Sequence, residues 1–252
     1  MKHILIFVSL LCIALIFSCK KNSTGPDNQP EIIKATGNIQ DAVNNFRAAL
    51  GPLNTVPNAV GGRREINWDE VPDSLNDTPL SDNFFNQTDN DAVASQQRGV
   101  VYSTTGSFMV SSDGFASINS GAASQFTPFS GTKTFANTSA EKWDVKFQKA
   151  GTTESAYVQA FGAVFADVDE DSSTSLEFFD DEKSLGKYFV PAHDATSNFS
   201  FLAVQFKNDE HVTKVTVSHD GFLAEGIADI SEGGTRDQIV LDDFIYSEPE
   251  AL

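Results

Sequence analysis

The sequence predicts an all-β fold: a two-sheet antiparallel β-sandwich, jelly-roll-like, with one short N-terminal helix packed on it. Three observations predict it. Short runs rich in Val, Phe, Ile and Thr recur between clusters of Gly, Asp, Asn and Ser, about ten of them between Arg64 and Tyr246. Inside these runs apolar and polar residues alternate, as from Val212 to Ser218 and from Trp143 to Phe147, which gives each strand one dry and one wet face. No repeat of fixed period is visible, which argues against propellers and solenoids and leaves the strands to close as a sandwich.

The chain opens on Lys2 and His3, followed by Ile4 to Phe17, a run whose only polar member is Ser9. Such a run is too short to span a bilayer comfortably and has the make-up of an export signal. It closes on Ile16-Phe17-Ser18-Cys19, which resembles a bacterial lipobox. That resemblance implies cleavage before Cys19 and acyl chains on its sulfur and new amine, enough lipid for stable anchoring. Residues 1–18 are then a lipoprotein signal peptide, 19–34 a flexible tether containing two prolines and a glycine, and 35–252 a helix plus a single sandwich domain. The expected location is the bacterial cell envelope, lipid-anchored at the outer membrane or cell surface. Cys12 would leave with the signal and Cys19 would carry lipid, so no thiol remains for a disulfide.

One helix is legible. Asn38 can cap it with Asp41 three positions on, Ile39, Val43, Phe46 and Leu50 form one stripe, and Gly51-Pro52 stops it. The expected strands then run Arg64 to Trp68, Gly99 to Thr104, Ser107 to Ser111, Trp143 to Phe147, Ala156 to Val168, Ser175 to Phe179, Lys187 to Val190, Asn198 to Phe206, Val212 to Ser218 and Ile239 to Tyr246. Ala156 to Val168 is nearly continuously apolar, which places it centrally. Residues 73–97 form the longest irregular insert, with Phe84-Phe85 expected to pin it to the sandwich.

Several blocks carry a resemblance: Gly62-Arg63-Arg64-Glu65-Ile66-Asn67-Trp68-Asp69-Glu70-Val71-Pro72, Arg98-Gly99-Val100-Val101-Tyr102, Phe161-Gly162-Ala163-Val164-Phe165, Ser175-Leu176-Glu177-Phe178-Phe179-Asp180 and Asp242-Asp243-Phe244-Ile245-Tyr246. Together they resemble an uncharacterised family of secreted bacterial β-rich proteins, many of which end in a PEP-CTERM sorting tag. The resemblance implies export and a β-rich fold, and no reaction. Here no apolar tail follows Tyr246, and the lipoprotein signal takes the anchor's part.

Charge narrows the partners. Seventeen Lys and Arg stand against 35 Asp and Glu, a formal net charge of −18, and that field repels phosphate backbones. Nucleic acid is therefore not an expected partner. The 21 Phe, against 4 Tyr and 2 Trp, point to a core built on rings.

The densest oxygen-ligand cluster is Asp167-Val168-Asp169-Glu170-Asp171-Ser172-Ser173. It reads either as a solvated turn, for which Asp and Ser are suited, or as a loop in which Asp167, Asp169 and Asp171 wrap a structural Ca²⁺. The pattern is not an EF-hand, because Ser172 stands where the turn glycine belongs and Phe178 where the closing glutamate belongs. A second candidate calcium ligand is Asp242 on the last strand, with Glu65, Asn67 and Asp69 of the first strand as partners; the alternative is that Asp242 and Asp243 simply make turn bonds. No HExxH or GxSxG motif occurs, which removes metalloprotease and α/β-hydrolase readings. The function expected is non-catalytic, a binding or structural module for a glycan or surface protein, with Trp68, Tyr102 and Tyr157 as candidate ligand-binding aromatics and Trp143 in the core. The alternative is a hydrolase of exported polysaccharide using a carboxylate pair from among Glu154, Glu177 and Glu225.

Overall fold

The computed structural model describes residues 29–103, 106–207 and 210–252. The export signal, Cys19 and the tether as far as Asn28 lie outside the described residues. In chain order the elements are β1 (Glu31–Thr36), α1 (Gln40–Leu50), β2 (Arg63–Ile66), β3 (Val100–Ser103), β4 (Phe108–Ser111), β5 (Thr134–Asn137), β6 (Lys142–Phe147), β7 (Ala156–Tyr157), β8 (Ala160–Ala166), β9 (Ser175–Asp180), β10 (Lys183–Phe189), β11 (Phe199–Gln205), β12 (Lys214–Ser218), β13 (Val240–Ser247) and β14 (Glu250–Ala251).

Two antiparallel sheets form a sandwich, as expected. The larger runs β1-β11-β8-β13-β5-β4, with β2 added on β13, and the smaller runs β10-β9-β12-β6-β3. A short β14-β7 pair lies apart. Between the sheets, Tyr102, Trp143, Leu176, Phe178, Val215 and Val217 of the smaller meet Phe135, Phe161, Phe165, Leu202 and Phe244 of the larger. The rings pack by edges and faces: Trp68 stacks on Phe135 at 4.1 Å between centroids, and Trp143 crosses Phe135 at 5.7 Å.

β8 is buried at every position, because the larger sheet is covered on both sides. Its outer face packs Ala160 and Val164, with Phe201, Ala203 and Ile245, against Ile39, Val43, Phe46 and Leu50 of the helix region. The stripe read in the sequence is thus the buried face of α1, and the Asn38 side chain accepts from the Gln40 amide at its start. Helix and sheet approach closely at Gly162, where a Cβ would lie 2.5 Å from the Ala203 Cβ and 3.0 Å from the Phe46 ring.

Three strands were not expected. β1 takes up Glu31 to Lys34, assigned above to the tether, and pairs antiparallel with β11 from Glu31↔Gln205 to Thr36↔Ser200. β5 supplies Phe135 to the core, and β14 closes the C-terminal end. The long run Ala156 to Val168 is broken at Val158-Gln159, where the chain passes from β7 to β8. Phe84 and Phe85 do pin the irregular insert, both of them buried in the intersheet core.

Candidate functional site

Two of the three aromatics proposed as a ligand platform are core residues. Trp68 and Tyr102 are 0% and 1% exposed, and neither can touch a ligand. Tyr102 is turned between the sheets by the alternation of β3, whereas Trp68 opens a 3-10 turn just after β2, and both rings enter the cluster around Phe135. Tyr157 is half-buried, stacks on His211 at 3.7 Å and donates to Glu250 at 3.0 Å. It borders a hollow of about 150 Å³ that also holds Glu248. Glu248 is committed to structure there, accepting from Arg64 at 2.8 Å and from Asn54 at 2.8 Å. None of Glu154, Glu177 and Glu225 lines this hollow.

The solvent face of the smaller sheet is different. Register places Lys187, Glu177, Thr216, Asp144 and Ser103 in one row across β10, β9, β12, β6 and β3. A second row holds Phe179, Lys214, Lys146 and Val101, and a third Phe189, Ser175, Ser218 and Lys142. Four lysines thus share this face of a chain whose net charge is −18. Two of them lie over phenyl rings, Lys214 at 4.4 Å from Phe179 and Lys187 at 5.1 Å from Phe189. Shallow hollows flank the face at both ends, one of about 220 Å³ bordered by Lys146 and Lys214, the other of about 300 Å³ bordered by Lys187, Phe189 and Ser218.

The acidic loop after β8 is brought together with residues the sequence reading did not select. Asp167 has left-handed backbone, φ 68°, and is only 4% exposed. Asp171, the third expected ligand, turns aside and accepts from the Ala192 amide at 2.8 Å. Its place is taken by Asp229 and Asp237 from the loop before β13. Ligand atoms of Asp169, Asp229 and Asp237 lie within 4.8 Å of one another, as do those of Asp167, Asp169 and His193. Asp237 accepts from the Asp169 and Glu170 amides through one oxygen, at 3.1 and 3.2 Å. Asp229 accepts from the Gln238 amide at 2.7 Å and from the Ser231 amide at 2.8 Å, which closes a tight turn with left-handed Gly233. That Asp-x-Ser cap followed by Gly233-Gly234 was the only signal in the sequence for this half of the cluster.

The cluster is electrostatically loaded. Burial, then the charges of Asp169 and Asp229, push Asp167 up to about 7. Burial pushes Asp237 up to about 6, the Ser173 side chain and the Asp169 and Glu170 amides opposing it and the Asp169 charge adding to it. Asp169 is raised by burial and by Asp229, against the pull of His193, whose Nε2 lies 3.0 Å from its Oδ1.

Asp242 sits elsewhere, in neither convergent group among the described residues. Between Leu241 and Phe244 the register of β13 against β8 shifts, and this bulge buries Asp242 and Asp243 together. Asp242 accepts from the Phe129 and Ser130 amides at 2.6 and 3.0 Å. Asp243 and Glu65 both bind Arg47 of α1, at 2.8 and 2.9 Å, so a guanidinium supplies the positive charge at this end. Asn67 reaches Asp243 at 3.4 Å, while Asp69 is turned to Thr132.

No family model matches the sequence, and no curated protein does. Among solved structures, a mutant of a family 29 carbohydrate-binding module, made to probe ligand recognition, is similar at a TM-score of 0.26 and 9% identity, over 48% of this chain and 74% of that one. At that score the likeness carries no argument. Among the described residues no helix is long and apolar enough to cross a membrane.

Proposed function

We propose that the chain is a non-catalytic binding module, held at a bacterial cell envelope by lipid on Cys19, which grips an acidic glycan on the solvent face of its smaller sheet. The observation that supports this is the grouping of Lys142, Lys146, Lys187 and Lys214 with Phe179 and Phe189 on that face. Ammonium groups match sugar carboxylates or sulfates, phenyl rings match the apolar faces of sugar rings, and the part-exposed Glu177 and Asp144 offer partners for hydroxyls. Charge complementarity favours an acidic polymer over a neutral one, since the rest of the chain is strongly anionic and would repel it everywhere else.

The test is retention on uronic-acid, sulfated and neutral polysaccharides, with the paired variant K146E/K214E. Both positions lie on the sheet surface, so the fold is expected to survive. Binding to acidic polymers should fall at least tenfold in the variant and weaken with added salt. Equal binding by the variant, preference for neutral polymers, capture of a protein instead, or release of reducing ends would each overturn the reading.

A further inference from the structure

Two triads share Asp169, one with Asp229 and Asp237 and one with Asp167 and His193, and the free oxygens of Asp167, Asp169 and Asp237 distinguish the pair from an ordinary acidic turn. Asp237 is 1% exposed and spends one oxygen on two backbone amides, while its Oδ1 has no hydrogen-bond partner. Asp167 is 4% exposed and its Oδ2 has none either. Asp169 gives Oδ1 to His193 and leaves Oδ2 without a partner. A buried carboxylate oxygen with nothing to accept from is costly, and three of them at one place would be costlier still. Solvated turns do not arrange this, because water or turn amides satisfy their oxygens.

We infer that Asp167, Asp169, Asp229 and Asp237 form a Ca²⁺ site, with His193 as a positioning residue that orients Asp169 from outside. Ca–O distances of about 2.3–2.6 Å put opposite ligands roughly 5 Å apart, which matches the ligand atoms of Asp169, Asp229 and Asp237 converging within 4.8 Å, with Asp167 joined to them through Asp169. The donors are hard oxygens. The imidazole engages a carboxylate oxygen, the outer-shell arrangement that fixes a ligand's orientation, so softer ions that prefer nitrogen gain little here. The ligands come from irregular loops that leave β8 and enter β13 at one end of the larger sheet, a pliable frame that suits the variable coordination of Ca²⁺ better than the strict octahedron of Mg²⁺. The site stands apart from the lysine-bearing face in its chemistry, and its test does not depend on any glycan.

The experiment uses the full chain in mild detergent, stripped with a chelator and then titrated with Ca²⁺, Mg²⁺, Mn²⁺ or Zn²⁺, with calorimetric stoichiometry and a thermal melt as readouts. One Ca²⁺ per chain is expected. For a site of ~10 µM, 1 mM Ca²⁺ should raise the midpoint by about 5–10 °C, with Mg²⁺ doing less. Asp237→Asn should abolish the rise and Asp171→Ala should keep it; should Asp237→Asn fail to fold, Asp169→Asn, at a part-exposed position, gives the same reading. His193→Gln should weaken Ca²⁺ binding about 10-fold or more without changing the stoichiometry. No shift with Ca²⁺, an Asp171→Ala variant that loses the shift, or tighter binding of Zn²⁺ or Mn²⁺ that His193→Gln destroys would each overturn the inference.

Discussion

His219 is buried, at 6% exposure, and its Nδ1 lies 2.7 Å from the Gly221 carbonyl oxygen. Nδ1 must carry the proton and donate there. Burial holds the ring neutral, lowering its pKa from 6.5 to about 4, with the Gly221 hydrogen bond and the charge of Asp220 opposing. A group depressed in this way contributes stability that is complete above the unfolded pKa and is lost as pH falls towards the folded one, because the unfolded chain binds the proton first. The window therefore runs from about pH 6.5 down to about 4, and the full difference is about 3 kcal/mol. Urea unfolding of the wild type and of His219→Asn, whose amide can still donate to Gly221, should show the wild-type advantage shrinking by that amount between pH 7.5 and 4. A constant gap would mean that His219 does not titrate as described.

At the level of elements, the closest fit is between α1 and β8. Gly162 is required there by contact rather than by backbone conformation, since an added methyl would meet both Ala203 and Phe46. Gly162→Ala should cost about 1–3 kcal/mol, read as a lower denaturation midpoint with unchanged m-value, by forcing the helix off the sheet. Elements of this kind were legible because burial leaves an imprint on composition: β8 is an apolar run, β13 is apolar apart from the Asp242-Asp243 bulge, and α1 carries a stripe. β5 escaped because it is four residues long and buried at every position, so it shows no alternation. β1 escaped because Glu31 to Thr36 follows a polar stretch and was absorbed into it. Trp68 and Tyr102 misled for the opposite reason, since a large amphipathic ring reads as a platform until the facing sheet is placed over it. Of the acidic cluster, Asp167 and Asp169 were visible from local spacing, whereas Asp229 and Asp237 arrive through the pairing of loops distant in sequence, which no local pattern encodes.

Across the whole molecule, charge is distributed unevenly. On the reading proposed above, the lysine-bearing sheet face is the surface that meets an anion, while most of the acids that give the chain its excess lie in loops. The lipid assignment makes its own expectation: Cys19→Ser should move the protein from the membrane to the soluble fraction and abolish labelling by a fatty-acid analogue. Continued membrane association would refute it.

β1 has a second meaning at this scale. It is one edge strand of the larger sheet, and it covers β11, whose residues Leu202, Ala203 and Val204 are buried on both faces. Glu31 and Lys34 give β1 the charged edge that discourages further pairing, and β11 has no such residues of its own. A cut just after Thr36 would uncover a seven-residue apolar strand with its amides and carbonyls open along one side. The first strand of the domain is thus also its protection against self-association: a chain clipped at that point would be expected to recruit a second clipped copy, strand to strand, converting a solitary module into the seed of an aggregate.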